Sequence, residues 1–154
     1  LKTITGHRMK ISKPKNQVLD NSDLEDEFFE DVRLIGIVSA SEYYQLISYI
    51  NQRLAFSFVR NHELEIQIQQ HFFPVFEYKD EEKLIEHYIF CNRRKTNYMM
   101  PDAKNIDFIW LLKGNFQYQE KIQQLPVFLK KVEGIDFCFD IVSNSLKMRQ
   151  LLII

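Results

Sequence analysis

The residues best suited to hold a metal are His7, His62, His71, His87, Cys91 and Cys138. Structural zinc sites gather such ligands at short fixed spacings, and the chain contains no HExxH and no CxxC. His87 and Cys91 stand four apart, a spacing that brings two side chains together on a helix. Their segment, LIEHYIFCN, reads as a strand, where four residues cover about 13 Å, too far to share one ion. The acidic run from Asp20 to Asp31 raises calcium instead. An EF-hand loop takes oxygen ligands at alternating positions and glycine at the sixth. Counted from Asp20, the third, fifth and sixth residues are Ser22, Leu24 and Glu25, so the pattern fails. No metal is expected. The run reads as a solvated acidic face that Leu24, Phe28 and Phe29 dock onto the domain. The rival reading makes Glu25, Asp26, Phe28 and Phe29 a recognition segment for a basic partner.

Phosphate chemistry finds no frame either. Gly36, Gly114 and Gly134 stand alone, without GxGxxG or a P-loop. There is no GxSxG elbow and no cysteine tied by motif to a histidine, and no cofactor is expected. Carboxylates meeting only in space stay open. Arg93, Arg94 and Lys95, near Tyr98 and Lys104, form a basic loop beside an aromatic. Such loops can track a single strand of nucleic acid, although three charges more often make a solvated loop. The whole chain carries net charge −1, so no global field favours nucleic acid or anionic lipid.

These residues need elements to carry them. At 154 residues, with four glycines and four prolines, the chain suits one domain of long regular elements. We place a polar N-terminal arm at 1–23 and a single α+β domain at 24–154. Met9 could be a start, so Leu1 to Arg8 are set aside as upstream sequence. Val32 to Ser39 is β-branched and apolar, hence a strand. Ser39 with Glu42 fits a capping box for a helix over 41–53, in which Tyr43, Ile47, Ile50 and Leu54 recur at helical spacing. AFSFVR and ELEIQI alternate like strands. HFFPVFEY and LIEHYIFCN flank the charged turn KDEEK and predict an antiparallel hairpin, with Pro74 marking an edge or a bulge. RRKTNYM reads as a loop.

IDFIWLLKG is the strongest strand, with Ile106, Phe108, Trp110 and Leu112 on one face and Ile109 and Leu111 on the other. It should be central and covered on both sides. A second amphipathic helix spans 117–132, marked by Tyr118, Ile122, Leu125, Leu129 and Val132, and Pro126 must kink or restart it. Gly134 stops it. IDFCFDIV is a last core strand, and the apolar tail packs back. The order predicts α+β: a mostly antiparallel sheet with two amphipathic helices packed on one face. Cys91 and Cys138 lie in apolar runs and read as buried reduced thiols. No run approaches the ~20 residues of a membrane span, and the N-terminus has no secretory h-region. A cytoplasmic protein is expected.

MPDAKNIDF, from Met100 to Phe108, stands before the central strand. It resembles the signature of the IPExxxVDY family of small bacterial proteins. Pro101 and Asp107 match identically, while Met100, Asp102, Ile106 and Phe108 are conservative changes. LIGIVSASEYYQLISYINQRL is similar to that family's early strand and helix, DFIWLLKG to its strand after the motif, and SLKMRQLLII to its closing segment. The resemblance implies a protein of this size and no assigned catalytic residue. Physically, Pro101 biases Met100 to an extended shape, and Asp102 suits an Asx-type turn. Asp107, on a covered strand, needs a basic group or backbone donors. A structural lock is the leading reading and a ligand-facing acid the alternative. The function expected is a non-catalytic interaction or regulatory module, with a protein partner or a homodimer. A ligand or enzyme site assembled from Asp107, His87 and Tyr98 is the alternative, and RNA binding by Arg93 to Lys95 is a third reading.

Overall fold

The computed structural model describes Lys2–Ile4 and residues 21–154. Most of the expected polar arm, with Met9, therefore lies outside the described residues. The elements run β1 (Lys2–Ile4), α1 (Asn21–Glu30), β2 (Val32–Val38), α2 (Tyr43–Leu54), β3 (Val59–Arg60), β4 (Ile66–Ile68), β5 (His71–Phe73), β6 (Val75–Asp80), β7 (Ile85–Cys91), β8 (Arg93–Arg94), β9 (Asn97–Tyr98), β10 (Phe108–Gly114), α3 (Glu120–Gln123), α4 (Leu125–Leu129) and β11 (Phe137–Ile141). Lys2–Ile4, set aside above, pairs in parallel with β4, and residues 21–23 form the start of α1.

Among the described residues the principal sheet has six strands in the order β11-β2-β10-β7-β6-β3, and every pairing in it is antiparallel. This is the α+β class the element order predicts. A smaller sheet joins β1, β4 and β5. β10 lies third, and its alternate residues feed two cores. Phe108, Trp110 and Leu112 join Ile35, Ile37 and Ile89 beneath Leu46, Ile47 and Ile50 of α2 and beneath Ile122, Leu125 and Leu129. The two expected helical regions thus do share one face. Ile109 and Leu111 join Leu34, Tyr88 and Phe90 on the other face, covered by Phe29, the small sheet and the tail residues Leu151 and Leu152. Ile106 belongs to this second core, not to the Phe108 face, because the regular pleat begins only at Phe108.

Several elements differ from expectation for identifiable reasons. α2 opens on Glu42, whose N–H donates to Gln45 Oε1 at 3.2 Å. Ser39 cannot cap it, because its Oγ donates to the Gly134 carbonyl at 2.5 Å and accepts from the Ser41 N–H. The second helix is two short ones: Pro126 sits in the first turn of α4 and restarts the chain there, while Tyr118 lies outside both at 85% exposure. Pro74 separates β5 from β6, where the chain leaves the small sheet for the large one. β6 is not an edge, since β3 flanks it. Only Val59–Arg60 of AFSFVR pairs, leaving Phe56 and Phe58 to pack against Trp110 at 5.1 and 5.0 Å. RRKTNYM is a two-rung hairpin, not an open loop, with Lys95 at φ 56° in its turn. Among the described residues β11 is an edge strand rather than a core one, with Phe137 54% exposed.

Gly114 has a positive φ of 130°, and a Cβ there would lie 2.4 Å from the Leu84 carbonyl oxygen. Only glycine fits that approach. The two cysteines are free and buried. They end one row across the sheet, Cys138 opposite Ile37, Ile37 opposite Phe108 and Phe108 opposite Cys91. Three strand spacings put them about 14 Å apart, beyond disulfide reach.

Candidate functional site

The segment from Met100 to Phe108 closes the head of β10. Met100 takes an extended backbone, φ −114° and ψ 98°, as the following proline demands. Pro101–Ala103 then forms one 3-10 turn, closed by the Ala103 N–H on the Met100 carbonyl and followed by the Ile106 N–H on Ala103. Met100, Ala103 and Ile106 are buried in the second core. Asp102 makes no local Asx turn; its Oδ2 accepts the Lys147 N–H at 3.4 Å, so the exposed carboxylate meets the C-terminal segment instead.

Asp107 sits in a closed ring of polar groups. Its Oδ2 accepts the Ser39 N–H at 2.8 Å, and its Oδ1 accepts Arg93 Nε–H at 2.7 Å. A second Arg93 nitrogen donates to the Ser39 carbonyl at 2.9 Å. The Asp107 carbonyl accepts both Asn92 and Arg93 N–H groups, and its own N–H goes to Ile37. The ring thereby ties the ends of β2 and β10 to the chain leaving β7. The two side chains keep only 13% and 18% of their surface. Every donor and acceptor named is used inside the fold, so the ring presents no vacant acid or base to a substrate.

Asn92 is the buried companion of this ring. Its side-chain NH2 donates to the Ala103 and Ile106 carbonyls at 3.0 and 2.7 Å, and its Oδ1 accepts the Met100 N–H at 2.9 Å. One fully enclosed amide thus shapes the whole turn. Sequence reasoning passed over Asn92, which ends an apolar run without any motif. It also placed Arg93 with Arg94 and Lys95 as one basic surface. Arg93 instead turns inward, Arg94 donates to the Phe72 carbonyl at 2.9 Å, and Lys95 occupies the hairpin turn.

The acidic segment is engaged as well. Glu25 and Asp26 hold Arg149 at 3.3 and 2.5 Å, and the same guanidinium lies over the Phe29 ring. Phe29 is buried, Phe28 half-buried and Leu24 exposed, so the helix docks through its phenylalanines and Arg149.

His87 and Tyr98 do not converge with Asp107. His87 lies five residues of strand from the Asp107 end of the sheet, about 16 Å. Tyr98 lines a separate shallow hollow with His71 and Lys104. His87 is 1% exposed and sits on the first core face beside Trp110. Trp110 Nε1 donates to His87 Nδ1 at 3.2 Å. An indole only donates, so Nδ1 is unprotonated and the neutral ring carries its proton on Nε2. Burial, aided by Lys83 and opposed by Asp80, lowers the His87 pKa to about 4. Cys91, the other half of the four-residue pair, donates its thiol to the Arg93 carbonyl at 3.0 Å. Burial is the main reason its pKa is pushed up to about 12, which removes the thiolate a nucleophile needs. Among the described residues no cluster of three metal-binding side chains forms, and no helix is long and apolar enough to cross a membrane.

No family model, curated protein or solved structure matches the chain.

Proposed function

We propose that the chain is a non-catalytic interaction or regulatory module of the bacterial cytoplasm that pairs with a second copy of itself through β11. The observation that supports this is the edge itself. β11 has a strand partner on one side only among the described residues, and Phe137 at its start and Val142 just past its end stand 54% and 71% exposed. An open edge offers unpaired backbone groups to another strand. Two antiparallel copies centred on Phe139 would set Phe137 against Ile141 of the second copy, apolar against apolar. Phe137 already lies against Phe139 at 5.7 Å, so the ring needs no rearrangement to cover a partner. Buried free thiols suit a reducing compartment.

Kinship with the IPExxxVDY family belongs to the same proposal. Of the two residues identical to the signature, Pro101 sets Met100 extended at the entry of the turn and Asp107 closes the ring. If the kinship holds, aligned family sequences carry an arginine 14 residues before the aspartate, as Arg93 stands here. Sequences lacking that arginine would sink it.

Light scattering across a concentration series tests the pairing. The native chain should give a dimer, and Phe137→Lys, at an exposed position, should give a monomer with unchanged circular dichroism. A native monomer at every concentration, or a dimer that survives the lysine, overturns the proposal.

A further inference from the structure

At the other end of the sheet, under the start of α3, lies an open cleft of about 430 Å³, within the ~300–1,000 Å³ range of small-molecule sites. Phe56, Tyr78 and Phe128 contribute flat apolar wall, and Phe56 meets His87 at 5.2 Å and Trp110 at 5.1 Å in edge-on contacts. His87 reaches the cleft from below. Its Nδ1 is taken by the indole, and Nε2–H finds no acceptor among the described residues. It is no sealed orphan either, since among the described residues no fully buried side-chain nitrogen or oxygen lacks a partner. A buried imidazole thus presents one fixed, unspent donor to the cavity.

The rim is net cationic. Arg53, Lys83 and Lys121 all line the cleft against a single acid, Asp80. Asp80 is already committed to Lys83, accepting its backbone N–H at 3.1 Å and lying 3.7 Å from its ammonium. Arg53 and Lys121 have no ion pair within the described residues. Cations over an aromatic-walled hollow focus potential onto an anion, and the walls accept a planar apolar body by offset or edge-on stacking.

We propose that this cleft is a binding site for a small monoanion with a planar apolar body, an aromatic carboxylate in its simplest form. Arg53 and Lys121 would hold the anionic end, Phe56, Tyr78 and Phe128 would enclose the ring, and His87 Nε2–H would meet an acceptor at the inner end. None of these residues belongs to the Asp107 ring or to β11, so the site stands or falls apart from self-pairing.

The probe is 1-naphthoate, with uncharged 1-naphthamide as control. Trp110 is the only tryptophan, and its indole N–H resonance reports on the His87 ring it is bonded to. Naphthoate should shift that resonance saturably, and naphthamide should bind at least tenfold more weakly. Arg53→Gln and Lys121→Gln, both at exposed positions, should each weaken naphthoate several-fold and leave naphthamide unchanged. Three results overturn the proposal: no saturable shift, equal affinity for acid and amide, or binding indifferent to both glutamine variants.

Discussion

The carboxylate of Asp107 holds the backbone N–H of Ser39 at 2.8 Å, so a side chain supplies the acceptor at the point where β2 ends. Arg93 completes the ring by binding both Asp107 and the Ser39 carbonyl. The unit is electrically balanced and nearly closed to water, where charge-assisted bonds are strongest.

Asp107→Asn should therefore destabilise the protein. The amide retains one acceptor but sets an N–H group or a neutral oxygen against the guanidinium. A hydrogen bond to a charged group contributes about 1.5–3 kcal/mol, so a loss of about 2–3 kcal/mol is expected. Chemical denaturation would measure it, and Arg93→Met in the same cycle should recover part of the loss by removing the unpaired cation. Stability unchanged in Asp107→Asn would mean that the ring is not a lock.

Asn92→Leu should cost more. It strands the Met100 N–H and the Ala103 and Ile106 carbonyls in a buried turn. Each unsatisfied group costs about 1–3 kcal/mol, so about 3 kcal/mol or more is expected, with Asn92→Asp costing more still near pH 7, because a buried carboxylate would face the Ala103 and Ile106 carbonyls with no proton to donate. Thermal unfolding followed by circular dichroism gives the comparison. Leucine and aspartate variants of equal stability would contradict the assigned bonds.

His87 gives a signed pH dependence. Its folded pKa, about 4, lies below the ordinary 6.5, with burial the chief cause. The unfolded chain takes up the proton first as pH falls, so the stabilising contribution is complete above about pH 6.5. It declines from there toward pH 4 and is constant below. Across the whole window the loss is about 3 kcal/mol. Unfolding free energies between pH 7 and 5 should slope accordingly, and His87→Gln should flatten that slope. A native slope identical to the variant's would place the titration elsewhere.

Much of the frame was legible because it rests on local patterns. The period-two run from Phe108 to Leu112 marks the strand covered on both faces, and the charged turn between two apolar runs marks the β6–β7 hairpin. α1 was not legible, since Phe29 buries only once Arg149, far along the chain, neutralises Glu25 and Asp26. The same holds for the ring. Asp107 could be singled out as a carboxylate in need of a partner, but its partner Arg93 lay disguised in a basic run. The His87 cleft draws Arg53 from a helix end, Tyr78 and His87 from a hairpin and Phe128 from a restarted helix. Such a convergence has no sequence spacing to betray it.

The row that begins at Cys138 and ends at Cys91 sets one thiol on the outer strand and the other near the centre of the same sheet. Neither sulfur can reach the other, and neither faces solvent. The pair therefore works as a two-point clock for opening: an alkylating reagent reaches Cys138 when the edge frays and Cys91 only when the centre parts. Should β11 be sealed by a second copy, the first hand of that clock would slow with protein concentration while the second kept its pace.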